Sequence, residues 1–360
     1  MKQIYERNDR YMPILDKNDK KMMEKYEKFL RNNDQAHMLQ SPAWAKVKSD
    51  KWKSEYVYLE KNGEIVAGML ILIRKFAKFF SMMYSPRGPV CKLSDIETVK
   101  KLIQEAKPLI KKNHVFMLKM DPAVEYNSEI EKLYIENGFK VTSDFKDILE
   151  LMQPIRSMIL NIDGKTEEDI MKGYSQKTRY NIRLAERKGV KVHYSRNEED
   201  LKKFYKLMEI TAKRDDIAIR HYDYYKSIIE AYPEDCARIY IAEYEGEPLS
   251  GAIAINYANK VEYFYGASSN EKRNLMPNYL MQENMIRWAI ETNCKLYDFG
   301  GIFNTTKENG LYKFKEGFCR QEGSTKFIGE IDKIYNGFIH FLFIKLVPVV
   351  KHIMLKFRKK

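Results

Sequence analysis

"YVYLEKNGEIVAGMLILI" (Tyr56–Ile73) reads as two β-rich apolar runs joined by a short polar turn with Gly63 at its tip, the pattern of a β-hairpin. A second stretch, "IYIAEYEGEPLSGAIAIN" (Ile239–Asn256), repeats it. Glu60, Gly63, Glu64 and Gly68 meet Glu243, Gly246, Glu247 and Gly251, each pair at an offset of 183 residues. Gly63 and Gly246 supply the positive φ that such a turn needs. One short match arises by chance, but here the same succession follows in both places. A strand comes next, "FFSMMY" (Phe79–Tyr84) and "VEYFYGAS" (Val261–Ser268). Then comes an amphipathic helix, "SDIETVKKLIQEAKPLIKKN" (Ser94–Asn113) and "PNYLMQENMIRWAIET" (Pro277–Thr292). A strand carrying Asp121 or Asp298 follows. Each copy closes on a Leu-Tyr…Gly-Phe helix, "LYIENGFK" (Leu133–Lys140) and "LYKFKEGF" (Leu311–Phe318), where Gly138 and Gly317 are expected as left-handed helix ends. The chain is therefore a duplication: an α/β protein of two tandem mixed-sheet α+β units.

The 360 residues suffice for two cores. Sixty-three basic against 50 acidic side chains leave a net charge of +13, which suits either a solvated lysine-rich surface or an anionic partner. Cys91, Cys236, Cys294 and Cys319 lie far apart, so neither a zinc ribbon nor a disulfide framework is signalled, and a reducing cytoplasm is expected. The six histidines show no metal-ligand spacing, and no P-loop or Gly-x-Ser-x-Gly elbow occurs. The N-terminal "MKQIYERNDRYMPILDKNDKK" has no apolar signal region. "FIHFLFIKLVPVV" (Phe338–Val350) is too short to span a bilayer and is broken by Lys345 and Pro348. With the basic "KHIMLKFRKK" after it, residues 338–360 read as a last helix on the core, as an interfacial helix on an anionic inner leaflet, or as both.

The element order resembles the GCN5-related N-acetyltransferase fold. Members of that family hold coenzyme A on an Arg/Gln-x-x-Gly-x-Gly/Ala loop before the central helix. "SPRGPVCKLSD" (Ser85–Asp95) and "SSNEKRNLMPN" (Ser268–Asn278) stand there instead, which argues against an acyl-CoA donor. Seven stretches in order carry a closer resemblance: "LQSPAWAKVK" (Leu39–Lys48), "YSPRGPV" (Tyr84–Val90), "KTRYNIRLAERKGVKV" (Lys177–Val192), "TAKRDDIAIRHYDYY" (Thr211–Tyr225), "YFYGASSNEKRNLMPNYLMQENMIRWA" (Tyr263–Ala289), "YDFGGI" (Tyr297–Ile302) and "GLYKFKEGF" (Gly310–Phe318). Over nearly its whole length the chain resembles the Fem family of peptidoglycan-bridge aminoacyltransferases, most like the armless FemX type. The resemblance implies transfer of glycine, alanine or serine from aminoacyl-tRNA to an amine of the stem peptide. The acceptor would be a diphosphate-bearing precursor, UDP-linked or lipid-linked, with no cofactor or metal. It also implies an acceptor unit at residues 1–153 with a returning helix at 332–360, a transfer unit at 154–331, and a monomer. An acyl-CoA N-acyltransferase and a non-catalytic basic protein docking RNA at the membrane are the alternatives.

Lys315 is in the copy that has "KFK" where the other has "IEN". Any one lysine is usually a solvated one, but an ammonium at a reacting ester carbonyl stabilises the charge that develops there. The resemblance gives Lys315 that place, with Phe314 as its wall. Arg273 precedes the Pro277 helix start, where free amides and a guanidinium suit phosphate oxygens; otherwise it is a loop arginine bonded to carbonyls. Lys48, or Lys46 one alignment step away, is assigned to the same diphosphate by resemblance. Asp121, with Tyr126 nearby, either caps a turn or holds the acceptor ammonium, and the resemblance implies the second. Tyr265, Tyr279, Tyr297 and Asp298 are expected at strand ends of the second unit, as ligands or as core. Arg179, Arg183, Arg187 and Lys188 recur at helical spacing, and with Arg214 and Arg220 they form either a solvated face or a tRNA-phosphate contact.

Overall fold

The computed structural model describes residues 13–76, 79–145, 151–306 and 308–358, with side chains undescribed at 347–349 and 351–358. Residues 1–12, where most of the N-terminal reading falls, lie outside the described part.

In the first unit α1 (Lys20–Arg31) precedes the hairpin β1 (Lys53–Lys61) and β2 (Glu64–Lys75). Next come β3 (Ser81–Ser85), α3 (Ile96–Glu105), α4 (Lys107–Lys112), β4 (Val115–Met120), α5 (Ser128–Glu136) and β5 (Lys140–Thr142), with α2 (Pro42–Val47) ahead of the hairpin. β1, β2 and β3 pair antiparallel, while β3 and β4 pair parallel, as a helical crossover requires. The second unit holds β6 (Arg156–Asn161), α6 (Glu167–Gly173), α7 (Gln176–Arg187), β7 (Lys191–Ser195), α8 (Glu198–Asp215) and α9 (Tyr222–Ala231). These lead to the hairpin β8 (Ala237–Tyr244) and β9 (Glu247–Tyr257), then β10 (Lys260–Ser268), α10 (Pro277–Glu291), β11 (Leu296–Gly301), α11 (Gly310–Glu316) and β12 (Ser324–Lys326). β13 (Glu330–Ile334) and α12 (Gly337–Arg358) complete the described elements.

The duplication is visible at single-residue resolution. Asn62 and Gly63 have φ of 54° and 78°, and Glu245 and Gly246 have 52° and 79°, so both hairpins turn through two left-handed residues. Both ladders slip by one residue, between Leu59 and Glu60 and between Ala242 and Glu243, again 183 apart. Gly68 and Gly251 serve close approach: a Cβ at Gly68 would lie 2.8 Å from the Tyr26 ring, and one at Gly251 would lie 3.2 Å from Phe204. α1 and α8 thus reach their sheets through equivalent glycines. The helix ends differ. Gly138 is left-handed at φ 74°, but Gly317 has φ −59°, contrary to expectation. Gly317 is small because a Cβ there would stand 2.4 Å from Thr178 Oγ1 and 3.4 Å from Ser175 Oγ.

The first sheet runs β1-β2-β3-β4-β13-β5 and the second β12-β6-β11-β10-β9-β8-β7. β13 occupies in the first sheet the place that β6 holds in the second, between the parallel strand and the short last one. The compact units are accordingly Met1–Gln153 with Phe327–Val349, and Pro154–Lys326 with Val350–Lys360. This moves the expected boundary at residue 331, because a strand and not only a helix returns to the first sheet. α12 packs Phe343 on Phe76 and Phe116 of the first unit. Residues Val350–Lys360, expected there too, group with the second unit. Among the described residues no helix is long and apolar enough to cross a membrane.

Candidate functional site

In the second unit β10 and β11 run parallel but pair only from Lys260–Leu296 to Glu262–Asp298. Beyond that point β10 bulges between Tyr263 and Tyr265, and β11 turns at Gly300, whose φ is 77°. The two strands part there. Asp298 makes the turn: its carboxylate accepts the Gly300 N–H at 2.8 Å and the Ser157 hydroxyl. Lys315, on α11, reaches back into this place. Its Nζ donates to the Gly300 carbonyl at 3.1 Å and the Gly301 carbonyl at 2.9 Å. The side chain is 4% exposed, and burial lowers its pKa to about 8 while Asp298 pulls the other way. At neutral pH it is an ammonium with two N–H bonds committed and a third left. A fixed cation at strands that part is suited to a developing oxyanion.

The wall beside it is aromatic. Phe314 meets Tyr279 edge-on at 5.0 Å and Phe318 at 5.5 Å, and Tyr279 stacks on Phe318 at 5.8 Å. Tyr279 belongs to the first turn of α10. That helix starts at Pro277 after a left-handed Met276, with no side-chain cap. Arg273 opens the 3-10 turn just before it, exposed, its guanidinium without a hydrogen-bond partner among the described residues. Lys315, Phe314 and Tyr279 are brought together, and Arg273 stands at the free end of the helix that carries Tyr279.

Other expected residues are committed elsewhere. Tyr297 is core: it is fully buried and its hydroxyl donates to Gln282 at 2.6 Å. Asp298 is buried and holds the β11 turn, and its charge favours the Lys315 ammonium. Tyr265 lies against Tyr225 at 5.1 Å, with its hydroxyl 3.5 Å from that of Tyr224. The Arg220 guanidinium lies over the Tyr224 ring at 5.4 Å, so Arg220 and Tyr265 belong to one aromatic cluster. Arg214 is no open phosphate ligand. It grips Asp215 at 2.8 and 3.0 Å and the Ser268 carbonyl at 3.0 Å, because it closes the end of β10. Arg179 donates to the carbonyls of Lys172 and Tyr174 at the end of α6. Arg183, Arg187 and Lys188 remain exposed, with Arg187 over the exposed Tyr180 ring at 5.9 Å.

In the first unit Asp121 is buried. Its carboxylate accepts the Tyr84 hydroxyl at 2.7 Å and the Arg87 N–H at 2.6 Å, fastening the Tyr84–Val90 loop. Burial raises it to about 6, against the pull of Arg87. Tyr126 donates to Glu131 at 2.7 Å. Lys48 caps α2 with its ammonium 5.1 Å from the Trp44 ring centre, whereas Lys46 is exposed.

Two residues near the second-unit site escaped the sequence reading. Glu283 on α10 is 1% exposed with neither carboxyl oxygen hydrogen-bonded, and the Tyr174 hydroxyl is likewise buried and unbonded among the described residues. The signal was present: Glu283 sits three residues after Leu280, on a helix whose neighbours Met281, Met285 and Ile286 are all buried. Among the described residues no cluster could hold a metal ion.

A family model described as the FemAB family matches residues 22–247 and 237–344. A UDP-N-acetylmuramoylpentapeptide-lysine N(6)-alanyltransferase of Weissella viridescens is 33% identical over 333 residues, 90% of this chain and 96% of that one. A lipid II:glycine glycyltransferase of Staphylococcus haemolyticus is 28% identical over 414 residues, 94% and 97% of the two chains. Among solved structures a crystal structure of FemX matches with a TM-score of 0.80 at 26% identity, over 89% of this chain and 98% of that one. A tandem GNAT protein from the clavulanic acid biosynthesis pathway shares the fold alone, with a TM-score of 0.52 at 10% identity, over 89% and 97%. The architecture is that of two tandem GCN5-related N-acetyltransferase-like units.

Proposed function

Because the chain belongs to the FemAB family, we propose that it transfers glycine, alanine or serine from aminoacyl-tRNA to an amine of a peptidoglycan stem peptide. The observation that carries this reading is the buried Lys315 ammonium, held on two β11 carbonyls where β10 and β11 part. In the reaction the acceptor nitrogen attacks the ester carbonyl. A C–N bond forms, the C–O bond to the ribose breaks, and the proton lost by the amine accompanies the leaving ribose oxygen. Negative charge gathers on the carbonyl oxygen, and the third N–H of Lys315 meets it there. Phe314 and Tyr279 wall the reacting group from water. Asp298 keeps Lys315 protonated by its charge.

Arg273 and Lys48 take the diphosphate of the precursor, and Asp121 with Tyr126 takes the acceptor side in the first unit. Arg183, Arg187, Lys188 and Arg220 take tRNA phosphates, a use for the net charge of +13. The enzyme works as a monomer. α12 carries no acidic residue, and Phe338, Phe341 and Ile344 are exposed, which suits peripheral contact with an anionic inner leaflet.

The deciding experiment mixes purified protein, charged tRNA and UDP-linked or lipid-linked muropeptide, followed by mass spectrometry. A gain of one amino-acid residue supports the reading. Gain only with an acyl-CoA, or tight RNA binding without product, overturns it.

A further inference from the structure

Glu283 and Tyr174 sit behind the transfer site and have no role in the reaction as proposed above. Tyr174 ends α6 and leads into α7, and its ring meets Phe318 edge-on at 5.0 Å. The adjacent Ser175 N–H donates to the Gly317 carbonyl at 2.8 Å. Thr178 Oγ1 would stand 2.4 Å from a Cβ at Gly317, so any larger residue there must displace it. The 174–178 segment therefore clamps the end of α11, two residues beyond Lys315. Behind the clamp the Tyr174 hydroxyl and the Glu283 carboxyl are both buried without a hydrogen-bond partner among the described residues, near enough to act on each other electrostatically.

A buried carboxyl left so poorly paired costs stability, and a chain keeps such a group where it serves the site. We propose that Glu283 and Tyr174 are a positioning pair: the buried carboxyl backs the Tyr174 hydroxyl, and Tyr174 holds Phe318 and α11 so that the Lys315 ammonium stays on the β11 carbonyls. Ionisation of Glu283 places a charge behind the clamp with no ion pair of its own among the described residues. Burial, with Glu167 of α6 and Glu186 of α7, disfavours that charge. Tyr174 and Arg287 favour it, yet Arg287, one turn along α10, gives two nitrogens to Glu167. The carboxyl is pushed up to about 7, so the clamp loosens as pH rises through that value. Lys315 loses its own proton nearer 8, in the same direction.

The inference rests on the aminoacyl-transfer reading, and wild-type activity in the assay above checks that reading separately. Turnover of wild type, Glu283→Gln, Tyr174→Phe and the double variant is measured from pH 6 to 9 with saturating substrates. Backbone hydrogen exchange of residues 310–318 is followed in the same proteins. Glu283→Gln cannot ionise, so its ratio of turnover at pH 8.5 to that at pH 6.5 exceeds the wild-type ratio by about threefold or more, while the Lys315 step remains in both. Tyr174→Phe lowers kcat about tenfold with KM unchanged, within the ~100-fold that misplacing a reacting group can cost. The double variant is no slower than Tyr174→Phe, and residues 310–318 exchange faster at pH 8.5 than at 6.5 in wild type but not in Glu283→Gln. Three results overturn the pair: an unchanged pH ratio in Glu283→Gln, additive losses in the double variant, or a raised KM with normal kcat. If Tyr174→Phe fails to fold, the pH ratio and the exchange of Glu283→Gln still decide.

Discussion

Lys315 is one lysine among many, and its burial on carbonyls at the end of β11 separates it from the rest. Lys315→Met is expected to lower turnover by at least ~100-fold, comparable to losing an oxyanion donor, with little change in substrate affinity. Asn137, three residues past Tyr134 as Lys315 is past Tyr312, is the matched control. It caps α5, through a bond from its side-chain amide to the Leu133 carbonyl. Asn137→Met should leave turnover near normal, and equal losses in both variants would mean that the repeat is structural. Because the Lys315 pKa lies at about 8, wild-type turnover should fall as pH rises through 8. Glu283 supplies a stability signature. Its carboxyl is raised from 4.5 to about 7 by burial, so between those values the folded state holds a proton that the unfolded state releases. Folding stability therefore falls over that window, by up to roughly 3 kcal/mol. Glu283→Gln lacks this loss: its Tm relative to wild type should climb between pH 4.5 and 7 and stay level above, at about 2–4 °C per kcal/mol. A Tm difference constant with pH would contradict the assignment.

At the scale of elements, α10 and α11 divide the work. α10 begins uncapped just after Arg273, and this is the end proposed to bind an anion. A diphosphate held there is bound before and during reaction alike. Arg273→Ala should accordingly raise KM for the muropeptide several-fold while leaving saturated turnover within about twofold, and the same is expected of Lys48→Ala, assigned to the diphosphate by resemblance; normal KM in both would overturn the assignment. α11 is set by its Gly317 end rather than by helix propensity. Gly317→Ala must push Thr178 or Ser175 aside, so it should lower both Tm and turnover, whereas Gly310→Ala, with open space around its Cβ position, should lower neither appreciably.

For the whole molecule, the two units differ in what they lack. The second unit contains β6, its own penultimate strand, whereas the first obtains β13 only after the chain has traversed the second. A fragment of residues 1–153 leaves the β4 edge bare and β5 unpaired, together with Lys119, which in the full chain is bound to Glu330 and Asp332 of β13. An exposed edge beside a buried unpaired charge predicts an insoluble fragment. Residues 154–326 keep every strand of their sheet and should remain soluble with cooperative thermal unfolding. A soluble, cooperatively folded 1–153 fragment would show that the returning strand is dispensable.

Much of this was written locally. The hairpin turns, the 183-residue repeat, the Pro277 helix start and the family follow from residues near one another in sequence, because turn chemistry and hydrophobic period act over a few positions. The sequence also led to Lys315, through the divergence of "KFK" from "IEN". What only the tertiary structure decided is where each polar group is used. Arg214 stands in the last turn of α8 and Arg220 follows six residues later, yet one is consumed by Asp215 and the Ser268 carbonyl while the other remains exposed on a tyrosine. Tyr297 and Tyr279 read alike, but one faces Gln282 in the core and the other the Phe314 wall. The crossing of β13 into the first sheet, the burial of Glu283 behind Tyr174, and the need for glycine at 317 all depend on partners tens to hundreds of residues away. A residue's type limits which bonds it can make; the fold, by choosing its neighbours and excluding water, determines which of them it makes.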